Sequence, residues 1–146
     1  MGFSLDGVVV IPLWCAPYVG LPYVQGGRSL KGVDCWGLVR LVLQDRAGLE
    51  LPVHGATRFV ERALARAMAG PDWSRVEQPR ALDVVIMVTP VGDGLAAPLH
   101  VGVMVSATHL LHVDEDALSH CVALRDATVR PRLDGFWRHR ELMDRQ

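Results

Sequence analysis

The hydrophobic pattern of this chain changes period partway along. Between Val33 and Gly48 the apolar residues Leu38, Val39, Leu41, Val42 and Leu43 recur at helical spacing, which predicts one buried helix with Gly48 as its stop. Residues 57–68 repeat the signal, with Phe59, Val60, Ala63, Leu64, Ala67 and Met68 on one side and Gly70-Pro71 as terminator. Residues 7–20 predict a shorter, helix-like lead-in whose regularity Pro12 and Pro17 limit. Residues 72–79 read as irregular, pinned to the core by Trp73 and Val76. Beyond them the pattern turns extended. Residues 81–89 form a β-branched run bounded by Pro90, Gly92 and Gly94, and residues 99–106, 109–113, 118–124 and 134–140 predict further strands. Helices first and then a meander of strands predict an α+β domain, N-terminal helices packed on an antiparallel sheet of about five strands.

Composition narrows the function classes. At 146 residues the chain predicts a single domain, residues 1–146, with half its residues hydrophobic. A net charge of −1 and the absence of any Lys/Arg block argue against an electrostatic nucleic-acid binder. Three cysteines, Cys15, Cys35 and Cys121, show no paired spacing and imply no disulfide framework. The apolar run near the N-terminus has Asp6 where a signal peptide carries basic residues, and Pro12 interrupts it. The expectation is therefore synthesis in the cytoplasm with no signal peptide and no membrane insertion.

The segment from Leu21 to Leu43 organises the rest. Pro22, Gly26-Gly27 and Gly32 make its first half a bending loop, and Asp34 stands where a helix N-cap belongs. Cys35 then falls in the first helical turn, where unpaired N–H groups and the helix dipole favour an anion, so the thiol is expected to ionise more readily than a free one. A thiolate nucleophile needs a base, and the base needs a group to hold its ring. His100 and His112 lie on consecutive predicted strands, and a hairpin centred near Ala107 sets them side by side. A metal site using Cys35, His100 and His112, with His109, His120 or Cys121, is the competing reading. It is weakened because no C-x-x-C pair exists and His109 and His112 fall on opposite faces of a strand.

The motifs P-Y-V-Q-G-G from Pro22, D-C-W-G-L-V from Asp34, H-V-G from His100 and the later His112 resemble those of the NlpC-type cell-wall peptidases, which are papain-like cysteine endopeptidases. The likeness runs over residues 21–113, including the spacing from Tyr23 to Cys35. It implies a papain-like fold and no cofactor. Cys35 would be the nucleophile, His100 the general base and His112 the group orienting it. Tyr23 and the Cys35 backbone N–H would be oxyanion donors, and Asp34 a structural and substrate-contacting neighbour. The substrate it implies is the stem peptide of peptidoglycan, cut between γ-D-glutamate and a diamino acid. Trp36 departs from the family's usual Ser and bears on the substrate pocket. D-C-W-G-L-V after G-G-R resembles the branch encoded in phage and phage-like tail gene clusters. That branch implies tail tip or hub proteins as partners and a virion tail acting at the target cell wall. A tail component with unused catalytic residues is the alternative.

Overall fold

A computed structural model of the chain describes residues 11–51, 68–88 and 99–145. The helix expected over residues 57–68 lies outside them apart from Met68, which is buried in the core. The lead-in is a 3-10 helix, Leu13–Tyr18. A short hairpin follows, β1 (Arg28–Ser29) and β2 (Gly32–Val33), then the helix α1 (Cys35–Ala47). The strands after it are β3 (Trp73–Val76), β4 (Val84–Val88), β5 (Leu99–Met104), β6 (His109–His112), β7 (His120–Ala123) and β8 (Leu133–His139).

The main sheet has six strands, ordered β3-β8-β4-β5-β6-β7, rather than about five. Two features separate it from the meander expected. Residues 73–76, read as irregular, form an edge strand antiparallel to β8. β8 in turn does not extend the far edge but inserts between β3 and β4. A bidentate ion pair helps hold that insertion: Arg138 on β8 donates through Nε to Asp83 Oδ1 at 2.7 Å and through Nη2 to Oδ2 at 2.8 Å. Asp83 is fully buried, and its carboxylate also accepts from the Arg80 N–H, so the charge is taken out of water with its lone pairs engaged.

The continuous apolar run of β4 reflects burial on both sides. Val84 and Ile86 join Val101, Val103 and the buried face of α1 in the main core, while Val85 and Met87 pack with Met104, Leu110 and Val129 on the other side. α1 buries Trp36, Leu38, Val39, Val42 and Leu43 in the main core. Its N-terminus is thereby set beside β5, as the helix-then-sheet pattern requires if the thiol and the histidines are to meet. Cys15 and Cys121, remote in sequence, also come together, with their sulfurs 3.9 Å apart.

Candidate active site

The first turn of α1 is built by three local devices. Asp34 is the N-cap: its backbone is extended and its Oδ1 accepts from the Gly37 N–H at 2.6 Å. Its other oxygen accepts from the Gly26 N–H at 2.8 Å, and its own N–H donates to the Gly27 carbonyl at 3.1 Å. The glycine pair and the helix start are thus one unit. Gly37 permits the approach, because a Cβ there would overlap the Gly27 carbonyl oxygen. Both Asp34 carboxylate oxygens thus accept a backbone N–H, which makes the residue structural whatever it contacts besides.

Trp36, expected to bear on the substrate pocket, is 4% exposed and lies in the main core. Tyr23 is half-buried, bridged to Val33 and packed against the same core as Cys35. Burial, and after it the neighbouring Asp34, Cys35, Glu115 and Asp116, hold its hydroxyl above the usual tyrosine range, so it keeps its proton and remains a donor.

The Cys35 thiol reaches the backbone of Val101, the residue after His100. Contrary to expectation it is not acidic: burial pushes it up to about 11, with the Asp34 charge adding to that. The backbone groups of Val101, Trp36 and Cys35 pull the other way without prevailing. The N–H groups of the helix start act in the expected direction, but desolvation, which follows from tertiary burial, is the larger effect.

His100 and His112 do meet, and Nε2 of the first shares a hydrogen bond with Nδ1 of the second at 2.8 Å. The register differs from the side-by-side pairing expected. Val103 pairs with Leu111 and Met104 with Leu110, which sets Gly102, not His100, opposite His112. The rings therefore cross diagonally. Gly102 leaves the space for this, since a Cβ on it would stand 3.1 Å from the His112 Cβ and 3.0 Å from the Leu111 carbonyl oxygen. With Nε2 engaged, Nδ1 is the His100 nitrogen left to a neighbouring thiol. Burial depresses both imidazoles to about 4, each opposed in part by Asp114. Burial thus favours the neutral form of the thiol and of both rings.

Two residues were missed from the sequence. Asp114 places Oδ1 at 3.5 Å from His100 Nε2 and Oδ2 at 3.9 Å from His112 Nδ1, and Arg132 reaches Asp114 Oδ1 through Nη2 at 3.4 Å. The available signal was the His-Val-Asp spacing, which returns Asp114 to the side of the chain that carries His112. Arg132 gave none, being brought in by a distant 3-10 turn, Arg130–Arg132. His120, opposite His112 on β7, stacks on it with ring centroids 4.6 Å apart.

His100, His112 and Asp114 offer ligand atoms within 4.8 Å of one another, a set that also suits a metal. Two observations favour a hydrogen-bonded chain instead. The ring nitrogens are 2.8 Å apart, whereas two ligands on tetrahedral zinc sit about 3.3 Å apart. The Arg132 guanidinium, moreover, occupies the carboxylate side.

A cysteine at the start of a helix packed on an antiparallel sheet whose strands carry a histidine pair is the papain-like α+β arrangement. The chain belongs to the NlpC/P60 family, whose family model matches residues 20–138. Solved structures agree on the fold. The NlpC/P60 domain of the peptidoglycan hydrolase SagA superposes with a TM-score of 0.55 at 22% identity, covering 82% of this chain and 87% of that one. A lipoprotein-like NLP/P60 family protein from Staphylococcus aureus gives a TM-score of 0.57 at 23% identity, covering 83% of this chain and 37% of that one. An NlpC/P60 family protein from Bacillus cereus gives 0.59 at 15%, covering 92% and 42%. The chain thus spans less than half the length of the last two. No curated protein resembles it closely enough in sequence to count as a relative.

Proposed function

We propose that this chain is a cysteine peptidase that hydrolyses the stem peptides of peptidoglycan, with Cys35 as nucleophile and His100 as general base. The observation that carries the reading is the 2.8 Å His100–His112 bond on the sheet, with the Cys35 thiol against the backbone of Val101, the residue after His100. Family membership and the likeness to the SagA hydrolase domain support the substrate class. The bond between γ-D-glutamate and a diamino acid is the preferred target, on the family resemblance. Delivery by a phage or phage-like tail, docked on tail tip or hub proteins and acting at the wall of the target cell, rests on the D-C-W-G-L-V motif.

Because burial favours the neutral form of both thiol and imidazole, the proton moves during attack and not before it. Cys35 sulfur bonds to the carbonyl carbon as its proton passes to His100, leaving a tetrahedral oxyanion. The Tyr23 hydroxyl and the Cys35 N–H donate to that oxygen. The C–N bond then breaks, the His100 proton leaves on the amine, and water activated by His100 hydrolyses the thioester. His112 holds the His100 ring throughout.

The test is digestion of purified sacculi. Wild-type protein is expected to release peptide fragments with new amino groups, and Cys35→Ala to release none while keeping its circular dichroism spectrum. Release by Cys35→Ala would overturn the assignment. Tyr23→Phe is expected to lower kcat about 100-fold with little change in KM, in keeping with loss of one oxyanion donor. A KM effect alone would make Tyr23 a wall of the site and not a donor.

A further inference from the structure

We propose that Asp114, clamped on its other side by Arg132, is a positioning residue for the His100–His112 pair, the field of its carboxylate favouring the paired arrangement and balancing the charge His100 acquires from the thiol proton. This rests on the peptidase reading above and adds two members to the site.

Geometry carries the inference. One carboxylate faces both ring nitrogens that share the central hydrogen bond, at 3.5 Å from His100 Nε2 and 3.9 Å from His112 Nδ1. Neither distance is that of a direct hydrogen bond, so Asp114 acts on the pair chiefly through its field. Among the described residues His112 has no other polar anchor: its Nε2 is buried without a hydrogen-bond partner. The orientation of that ring therefore depends on its Nδ1 side, where His100 and Asp114 lie.

When the Cys35 proton arrives on His100 Nδ1, the ring keeps its Nε2–H toward His112 and becomes a cation in a buried place. The charged and titratable groups acting on the pair are His120 from β7, Arg132 from its 3-10 turn and Asp114 itself. Arg132 and His120 oppose a positive charge on either ring, and Asp114 favours it. Arg132 has a second effect, since it holds Asp114 by an ion pair at 3.4 Å and lowers the field the histidines receive. The Asp114 side chain is 43% exposed, so water screens part of this effect, and the loss on removing it is well short of that for a buried triad carboxylate.

Asp114→Asn and Arg132→Met are the informative variants because their signs differ. In Asp114→Asn, NMR titration of the imidazoles in substrate-free protein is expected to show the His100 and His112 midpoints moved to lower pH. The same variant is expected to lose about tenfold in kcat at unchanged KM. In Arg132→Met the midpoints move to higher pH. A purely structural role would lower the melting temperature of both variants without opposite shifts, and unmoved midpoints in Asp114→Asn would overturn the proposal. If Arg132→Met does not fold, the Asp114→Asn midpoints alone decide. Digestion by Cys35→Ala would instead overturn the peptidase reading, and the titration, which needs no substrate, would still decide the role of Asp114.

Discussion

His100→Ala is expected to lower kcat for stem-peptide hydrolysis by about 10⁴-fold with the fold intact. The size follows from the state of the site at rest. Burial holds the Cys35 thiol up at about 11, so near neutrality almost none of it is thiolate. Without His100 the site would be left with a buried thiol and no acceptor for its proton. Nor would His112 stand in readily, because its buried Nε2 has no outlet and its Nδ1 faces the ring that has been removed. Two measurements check the reasoning. The double variant Cys35→Ala, His100→Ala should be no slower than either single one, since the pair acts as a unit. Added imidazole should restore part of the activity to His100→Ala and none to Cys35→Ala. A His100→Ala protein within tenfold of wild type would mean that another group takes the thiol proton.

What the sequence disclosed and what it hid divide along the distance over which each feature is determined. The helix start at Asp34-Cys35 was legible because a cap, a first turn and an apolar face are local. The α+β arrangement was legible as a change of period from helix to strand, while the papain-like fold was implied by the resemblance of the motifs. The thiol acidity was misjudged because the helix end is local while burial, which raises the thiol, is set by tertiary structure. The histidine register was off because the turn between β5 and β6 is set by side chains: Ser106 Oγ accepts from the Thr108 and His109 N–H groups, and the Val105 N–H donates to the His109 carbonyl. β3 escaped notice because it is a short edge strand with Ser74 and Arg75 exposed, leaving too little alternation to read. Asp114 left a local trace in the His-Val-Asp spacing, whereas Arg132 belongs to the site only through tertiary structure.

Gly37→Ala gives the sharpest stability test, because local and tertiary arguments predict opposite signs. Within a helix, replacing Gly by Ala favours folding by about 1 kcal/mol. At this position the added methyl would overlap the Gly27 carbonyl oxygen and stand 2.9 Å from Asp34 Oδ1. Both neighbours are already committed: the Gly27 carbonyl accepts from the Asp34 N–H, and Oδ1 accepts from the Gly37 N–H at 2.6 Å. Neither can withdraw without loosening the cap, and backbone cannot turn aside as a flexible side chain can. The close approach should therefore prevail, for a net loss of about 3 kcal/mol, read as a fall in melting temperature of about 10 °C. Function should suffer beyond what stability explains. The shift needed to relieve the clash moves the first turn of α1, and with it the Cys35 thiol and N–H, relative to β5. At a temperature where Gly37→Ala is still folded, kcat should consequently drop more than KM rises. Unchanged or increased stability in Gly37→Ala would show that the loop and the helix start are not locked together, and the D-C-W-G motif would then need a physical basis other than this close approach.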